Sequence, residues 1–372
     1  MKKVSVWLLA VSILLGVSVK ANAASTSAKS AVLISGDSGE VIYSQNAEEC
    51  LPMASTTKIM TALLLCEYGH FDEELTVTKE MLAVEGSSMG LLPGDTVSLH
   101  DLLYGMMLAS GNDAANVTAI AVGGSVAEFV ELMNKKAEEL GLQNTHFATP
   151  SGLDAEGHYT TAYELAMLAR YALQNEEFSK AAATESAVLN YGNPPYRRTL
   201  TNHNKLLKLY DGAVGVKTGF TKKSGRCLVS AAKRDGKYLI AVTLNDQNDW
   251  QDHINMFDYG FSVIKQVECM PEQDAYSLPV ISGEKETVEI KVEPFTVNAL
   301  NTDNISCSVS MPEFVYSPIK KGDTVGEIEY RQGENILATV KLTASENIKV
   351  SDEDSFFFKK ITELFLLIIG EI

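Results

Sequence analysis

Apolar positions along the chain follow two rhythms, and the change between them falls near Met270. Upstream, apolar residues recur at the spacings of a helix over Thr56 to Tyr68, Leu99 to Leu108, Ala114 to Val122, Val126 to Leu140 and Ala162 to Leu173. Gly69, Gly111, Gly123-Gly124 and Gly141 punctuate them. Short apolar runs flank this helical block. Ala31 to Ile34 and Glu40 to Ser44, divided by the turn-rich Ser35-Gly36-Asp37-Ser38-Gly39, predict a hairpin. Ala213 to Val216, Cys227 to Ala232 and Tyr238 to Leu244 predict strands, the last two joined at Asp235-Gly236, and Trp250 to Ile264 returns to the helical period. Strands at both ends with helices between predict an α+β domain, one mainly antiparallel sheet layered with helices.

Downstream the period becomes two. Thr287 to Glu293 alternates strictly and Ile336 to Leu342 less so, which predicts a small all-β domain carrying no chemical motif. After the polar stretch Ser345 to Ser355 the chain closes on Phe356 to Ile372, where Ile361, Leu364, Phe365, Ile368 and Ile372 fall on one side of a helix and Lys359, Lys360 and Glu363 largely on the other. The unbroken run Leu364 to Ile369 falls far short of the ~20 residues that cross a bilayer, so the pattern predicts an amphipathic helix lying in the membrane surface. At the other end Lys2 and Lys3, the apolar run Val4 to Val19 and the small-residue triplet Ala21-Asn22-Ala23 predict a cleaved export signal and a mature start at Ala24. The expected organisation is a signal peptide over 1–23, the α+β domain over 24–268, the small β domain over 269–346, and a linker with the amphipathic anchor helix over 347–372.

Charge and cysteine content narrow the function. A formal charge of −17 with no basic cluster leaves no field to hold a polyanion, which argues against a nucleic-acid partner. Five cysteines in an exported chain of this length are too few, and odd in number, for a disulfide framework. Cys66 and Cys227 lie in apolar runs and read as small core residues. No Cys-x-x-Cys or His-Glu-x-x-His spacing occurs, so neither a metal nor another cofactor is expected.

Three short motifs carry chemistry. Ser55-Thr56-Thr57-Lys58 opens a helical pattern, and its three-residue spacing puts Ser55 and Lys58 on one face a turn apart. A lysine so placed can take the hydroxyl proton once burial and a second cation lower its pKa. Ser110-Gly111-Asn112 falls in a break between helical patterns, where polar side chains can face a cleft. Lys217-Thr218-Gly219 ends an apolar strand, and Gly219 omits a side chain where an extended substrate would approach the backbone. Each alone is common; the three in this order, on helix, loop and strand, are specific.

With these residues the chain resembles the serine penicillin-recognising enzymes, whose site is the set Ser-x-x-Lys, Ser-x-Asn and Lys-Thr-Gly. Pro52 to Thr61, Leu102 to Gly105 running into Ser110 to Ala115, Asn144 to Phe147, Ser151 to Asp154 and Gly215 to Thr221 are similar to the low-molecular-mass D-alanyl-D-alanine carboxypeptidases. The similarity covers roughly residues 28–261, and that family's layout of a small β domain and a terminal amphipathic anchor fits the rest. The resemblance implies that Ser55 attacks the carbonyl between two D-alanines of a peptidoglycan stem peptide while Lys58 accepts its proton. It also implies that Ser110 relays a proton to the leaving D-alanine, Asn112 holds the substrate amide, Lys217 sets the electrostatics around Ser110, and Thr218 meets the terminal carboxylate. The N–H groups of Ser55 and Phe220 would form the oxyanion hole, and β-lactams would acylate the same serine.

Some relatives carry an arginine near the carboxylate in an Asn-Arg-Asn context, where this chain has Asn202-His203-Asn204. His203 is therefore a candidate substrate contact when protonated. Between residues 150 and 200 there is no Glu-x-x-x-Asn of the kind an active-serine β-lactamase uses to activate water. A DD-endopeptidase is a closer alternative, and intact motifs argue against a silent penicillin sensor or a wall-binding scaffold. The expected location is the outer leaflet of the cytoplasmic membrane, reached through the C-terminal helix.

Overall fold

The computed structural model describes residues 25–269 and 275–352. The signal peptide expected over 1–23 and the apolar stripe from Ile361 onward lie outside the described residues. The first unit opens with β1 (Ser30–Ser35), β2 (Val41–Gln45), a 3-10 turn over Ala54–Thr57, α1 (Lys58–Tyr68), β3 (Glu74–Thr76) and β4 (Thr96–Ser98). Five helices follow, α2 (Leu99–Met107), α3 (Asn112–Gly123), α4 (Val126–Glu139), α5 (Ala162–Ala172) and α6 (Glu176–Ala183). The unit then runs through β5 (Ser186–Gly192), β6 (Pro195–Thr201), α7 (Leu206–Leu209), β7 (Ala213–Thr221), β8 (Gly225–Arg234), β9 (Lys237–Leu244) and α8 (Asp249–Val263).

β2, β1, β9, β8 and β7 form, in that order, an antiparallel sheet. Its inner strands read as unbroken apolar runs because both faces are covered, and strand alternation divides each run between them. Val32, Ile34, Val229, Ile240 and Val242 pack on the layer that holds α1, α2 and α5. Ala31, Leu33, Leu228, Leu239 and Ala241 pack with Met256 and Phe257 of α8. Burying a side chain of valine or leucine size contributes about 1.5–3 kcal/mol, so the sheet is a stiff platform whose free edge is β7. The α+β layering expected from the sequence is the one observed.

Two local features differ from the apolar rhythm. The helix expected from Thr56 begins only at Lys58, preceded by the 3-10 turn. In that tighter turn residues three apart eclipse one another, which aligns Ser55 with Lys58 more directly than an α-helix would. Asn112, expected in a break, is the first residue of α3. The hairpin of β5 and β6 has no counterpart in the sequence reading, since much of it is exposed and too polar to show a period.

The second unit contains β10 (Lys265–Cys269), β11 (Ala275–Ile281), β12 (Thr287–Lys291), β13 (Phe295–Ala299), β14 (Ile305–Ser310), β15 (Val315–Tyr316), β16 (Thr324–Gln332) and β17 (Asn335–Thr343). It has its own core around Val288, Ile290, Ile328, Tyr330 and Ile348. β10 pairs along its length with β13, so the small β unit starts at Lys265, ahead of the boundary expected at 269. At the far end Ile348 bridges Ile319 and Val350 bridges Gly283. The start of the polar stretch expected to be a linker is thus an edge of this unit, because isolated bridges need no apolar alternation.

Candidate active site

The 3-10 turn is pinned from several sides. Ala54, one residue before Ser55, has φ +48, a left-handed conformation that costs a non-glycine residue about 1–2 kcal/mol and persists only where surroundings enforce it. Enforcement comes through His158. Its Nδ1 accepts from Ala148 N at 2.9 Å, which leaves the proton on Nε2 to be donated to Thr57 Oγ1 at 2.7 Å. The Thr57 hydroxyl donates in turn to Ala54 O at 2.7 Å. Burial pushes the His158 pKa down to about 4, so the ring stays neutral and keeps this pattern. Gly152, at φ +86, lies so close that a Cβ there would fall 2.0 Å from Ala54 O.

Lys58 is fully buried. Its Nζ reaches Ser55 Oγ at 3.0 Å, Asn112 Oδ1 at 2.7 Å and Ser151 O at 2.7 Å. Asn112 is oriented by its own amide, which donates to Glu85 O at 2.6 Å and so turns Oδ1 to the lysine. Loss of water lowers the Lys58 pKa well below the usual lysine range; the Lys217 ammonium lowers it further and the Asp113 carboxylate works the other way. In the neutral amine both N–H bonds must go to the two carbonyl oxygens, which can only accept. The lone pair is then left facing the Ser55 hydroxyl.

Ser110 closes the second corner. The chain turns there between α2 and α3 with φ +56, and α2 is held in place by a capping box of Ser98 with Asp101. Lys217 Nζ donates to Ser110 Oγ at 3.0 Å and to Thr218 O at 2.9 Å. Burial pushes the Lys217 pKa down to about 7. Gly219 packs on the turn itself, where a Cβ would stand 3.0 Å from Ser55 N and Thr56 N. Phe220 lies on the exposed end of the free-edge strand, and Thr221 Oγ1 ties that end to Asp154 at 2.9 Å.

Ser55, Ser110, Thr218, Gly219, Phe220 and His203 line one cleft of about 500 Å³, together with Arg226, Asp249 and Trp250. The structure therefore gathers the sequence-selected residues around one space, with Lys58, Asn112 and Lys217 behind its wall. His203 is on the rim because its neighbours brace the loop: Asn202 donates to Thr184 O at 3.0 Å and Asn204 Oδ1 accepts from Leu206 N at 3.1 Å. Partial burial and the Lys217 ammonium lower the His203 pKa. Both effects work against the protonated contact expected of it.

Asp113 escaped the sequence reading. Its carboxylate accepts from Ser88 Oγ at 2.6 Å and from the N–H groups of Met89, Gly90, Leu91 and Ala114 at 2.9–3.1 Å. That fixes the loop whose Ser87 O accepts from Asn112 N at 2.7 Å. The signal lay beside the motif, as an acid at the first turn of α3. The arrangement can do acyl transfer: a nucleophile, a buried base, a second hydroxyl on a cation, and backbone donors at a strand edge.

Residues 17–248 match the family model described as D-alanyl-D-alanine carboxypeptidase, and residues 266–350 match that of the penicillin-binding protein 5 C-terminal domain. D-alanyl-D-alanine carboxypeptidase DacF of Bacillus subtilis is 34% identical over 87% of this chain and 86% of its own length. D-alanyl-D-alanine carboxypeptidase DacC of Escherichia coli is 31% identical over 93% and 89%. Among solved structures, the Streptomyces K15 DD-transpeptidase superposes with a TM-score of 0.62 at 32% identity, covering 64% of this chain and 98% of that one. The carboxypeptidase DacD of Francisella tularensis superposes at 0.65 over 90% and 96%, and at 24% identity shows the fold alone.

Proposed function

This chain belongs to the D-alanyl-D-alanine carboxypeptidase family, and on that premise we propose how its residues divide the work. It is a serine-type hydrolase of peptidoglycan stem peptides ending in D-Ala-D-Ala and is acylated by β-lactams. Ser55 Oγ attacks the carbonyl between the two D-alanines while its proton passes to the neutral Lys58. The oxyanion that forms is met by the N–H groups of Ser55 and Phe220, an arrangement in which each donor is worth about 100- to 1,000-fold in rate. When the C–N bond breaks, the leaving nitrogen takes a proton through Ser110, whose hydroxyl is held by Lys217. Water then cleaves the Ser55 ester, with Lys58 again the base.

The single observation that carries this reading is the set of three bonds at Lys58 Nζ, since two of its partners accept only and the third is the Ser55 hydroxyl. The test is labelling with fluorescent penicillin alongside D-alanine release from a pentapeptide. Wild type should take up one label per chain and release D-alanine, and Ser55→Ala should do neither. Stoichiometric labelling of the alanine variant overturns the assignment of the nucleophile. Lys58→Ala should stay folded and acylate at least ~100-fold more slowly, because no other base stands at the hydroxyl; a wild-type rate removes Lys58 from the mechanism.

We further propose that residues 1–23 are removed on export and that the C-terminal helix holds the enzyme on the outer leaflet of the cytoplasmic membrane. Support comes from the amphipathic spacing of Ile361, Leu364, Phe365, Ile368 and Ile372. Among the described residues no single helix is long and apolar enough to cross a membrane.

A further inference from the structure

The small β unit exposes few large apolar side chains, and they are not scattered. Among its described residues there are four, Ile281, Phe314, Tyr316 and Ile336, and the first three lie together. β15 is the edge of its sheet, in the order β12, β11, β15, and pairs in parallel with β11 so that Val280 meets Val315 and Ile281 meets Tyr316. Paired residues share a face and successive residues alternate. Val280 and Val315 turn into the core of the unit. Ile281, Tyr316 and Phe314 turn out, 43%, 68% and 41% exposed. The rings of Phe314 and Tyr316 meet edge to face with centroids 5.4 Å apart, which steadies both without covering either.

The described residues end beside this face. Ser282, next to Ile281, offers one carbonyl to two donors, Ser317 Oγ at 2.5 Å and Ser351 N at 2.9 Å. Val350 bridges Gly283. The chain that leads to the amphipathic stretch thus departs from a point bonded to the neighbours of Ile281 and Tyr316. Ten residues separate Ser351 from Ile361, a reach of at most about 35 Å when fully extended. An anchor in the membrane keeps the face within that reach of the lipid, at an effective concentration that populates a contact too weak to form from solution. A tyrosine ring, apolar in body and polar at its hydroxyl, suits the headgroup level of a bilayer. The flanking segments mix their charges, with Lys320, Lys321 and Lys349 set against Glu284, Glu313 and Asp323. No positive field draws this face to anionic lipid, so the contact it offers is apolar.

We infer that Ile281, Phe314 and Tyr316 make a second, shallow contact with the bilayer surface, so that the small β unit rests its β15 edge on the lipid. The inference rests on the terminal anchor proposed above and adds the surface that sets which side of the unit meets the membrane. Alone the patch is too small to hold the enzyme, and a chain without the anchor stays in solution.

The test places the mature chain on phosphatidylcholine vesicles with and without bromine on the acyl chains near the headgroup. The tryptophan of a Tyr316→Trp chain should be quenched by the brominated lipid. That of a Tyr196→Trp chain, at an exposed position of β6 in the first unit, should not be, and Trp250 gives both the same background. Phe314→Ser combined with Tyr316→Ser should bind vesicles about 10-fold more weakly than wild type, by the same factor at low and high salt. Its penicillin acylation rate in solution should stay within about 2-fold of wild type. Equal quenching at positions 316 and 196, no quenching at 316, or an undiminished affinity of the serine variant overturns the inference. So does a dimer in buffer that the serine variant abolishes, since the face would then belong to a second copy. Leu364→Asp combined with Ile368→Asp tests the anchor separately and should leave the vesicles entirely. If that chain stays bound, the anchor reading falls, a result distinct from an intact anchor with an unquenched tryptophan at position 316.

Discussion

Gly219 presses on the backbone of the nucleophile so closely that a Cβ built on it would stand 3.0 Å from Ser55 N. The same Cβ would be 3.0 Å from Met53 O. In Gly219→Ala the turn must therefore retreat by a few tenths of an ångström, and the N–H that should hold the oxyanion is partly covered. The expected result is about a 100-fold loss in the rate of penicillin acylation with the fold retained, since misplacing one such donor approaches deleting it. Stopped-flow acylation together with a thermal melt checks it; an unchanged rate would mean that Ser55 N takes no part in binding the oxyanion.

Lys217 sets activity against stability. Its folded pKa of about 7 lies below the ~10.4 of an unfolded lysine. Between those values the unfolded chain keeps a proton that the folded chain has released, so this group makes stability rise with pH from about 7 towards 10, and its full cost is present below 7. Lys217→Met should therefore be inactive yet more stable than wild type at pH 6, with the advantage shrinking by pH 10. Urea titrations at several pH values read this directly, and an advantage that is constant or grows with pH contradicts it.

Asp113 is coupled to the base through charge and to the cleft through a loop. Replacing it with asparagine leaves Ser88 Oγ and the Gly90 and Leu91 N–H groups facing an amide that cannot accept at that position. The expected cost is about 3 kcal/mol of stability. It also removes the negative charge that works to raise the Lys58 pKa, so the acid limb of the acylation profile should move to lower pH. A limb that moves upward would show that Asp113 does not act on Lys58 by charge.

Ending the chain at residue 351 removes the amphipathic stretch but none of the cleft residues. The shortened enzyme should move from membranes to the soluble fraction and keep its acylation rate within about 2-fold, since five apolar side chains at roughly 1.5–3 kcal/mol each are the main proposed attachment. Fractionation and penicillin labelling check both halves. Retention on membranes would refute the interfacial reading.

The reacting side chains are legible in the sequence because chemistry confines them to short spacings: Ser55 to Lys58, Ser110 to Asn112, Lys217 to Gly219. What holds them is far less so. Two of the acceptors that orient the base network, Ser151 O and Glu85 O, are main-chain atoms, and a carbonyl leaves no mark in a sequence. His158 belongs to the site only through Thr57 and Ala54, a relation spanning about a hundred residues that no local pattern encodes. The inner strands of the sheet are readable because they are covered on both faces and so run apolar without interruption. The β5–β6 hairpin and the edge at Ile348 are not, as one is largely solvated and the other is held by single bridges.

The burial of Lys58 has one further consequence. With no exposed surface and three neighbours supplied by the protein, its nitrogen is screened from buffer molecules and met only by what enters the cleft beside Ser55. In the reaction proposed above the proton lifted from the hydroxyl ends on the departing amine, so acylation needs no proton from a dissolved buffer. At fixed pH the acylation rate should then be indifferent to which buffer is dissolved and at what concentration, as if the step ran in a sealed compartment.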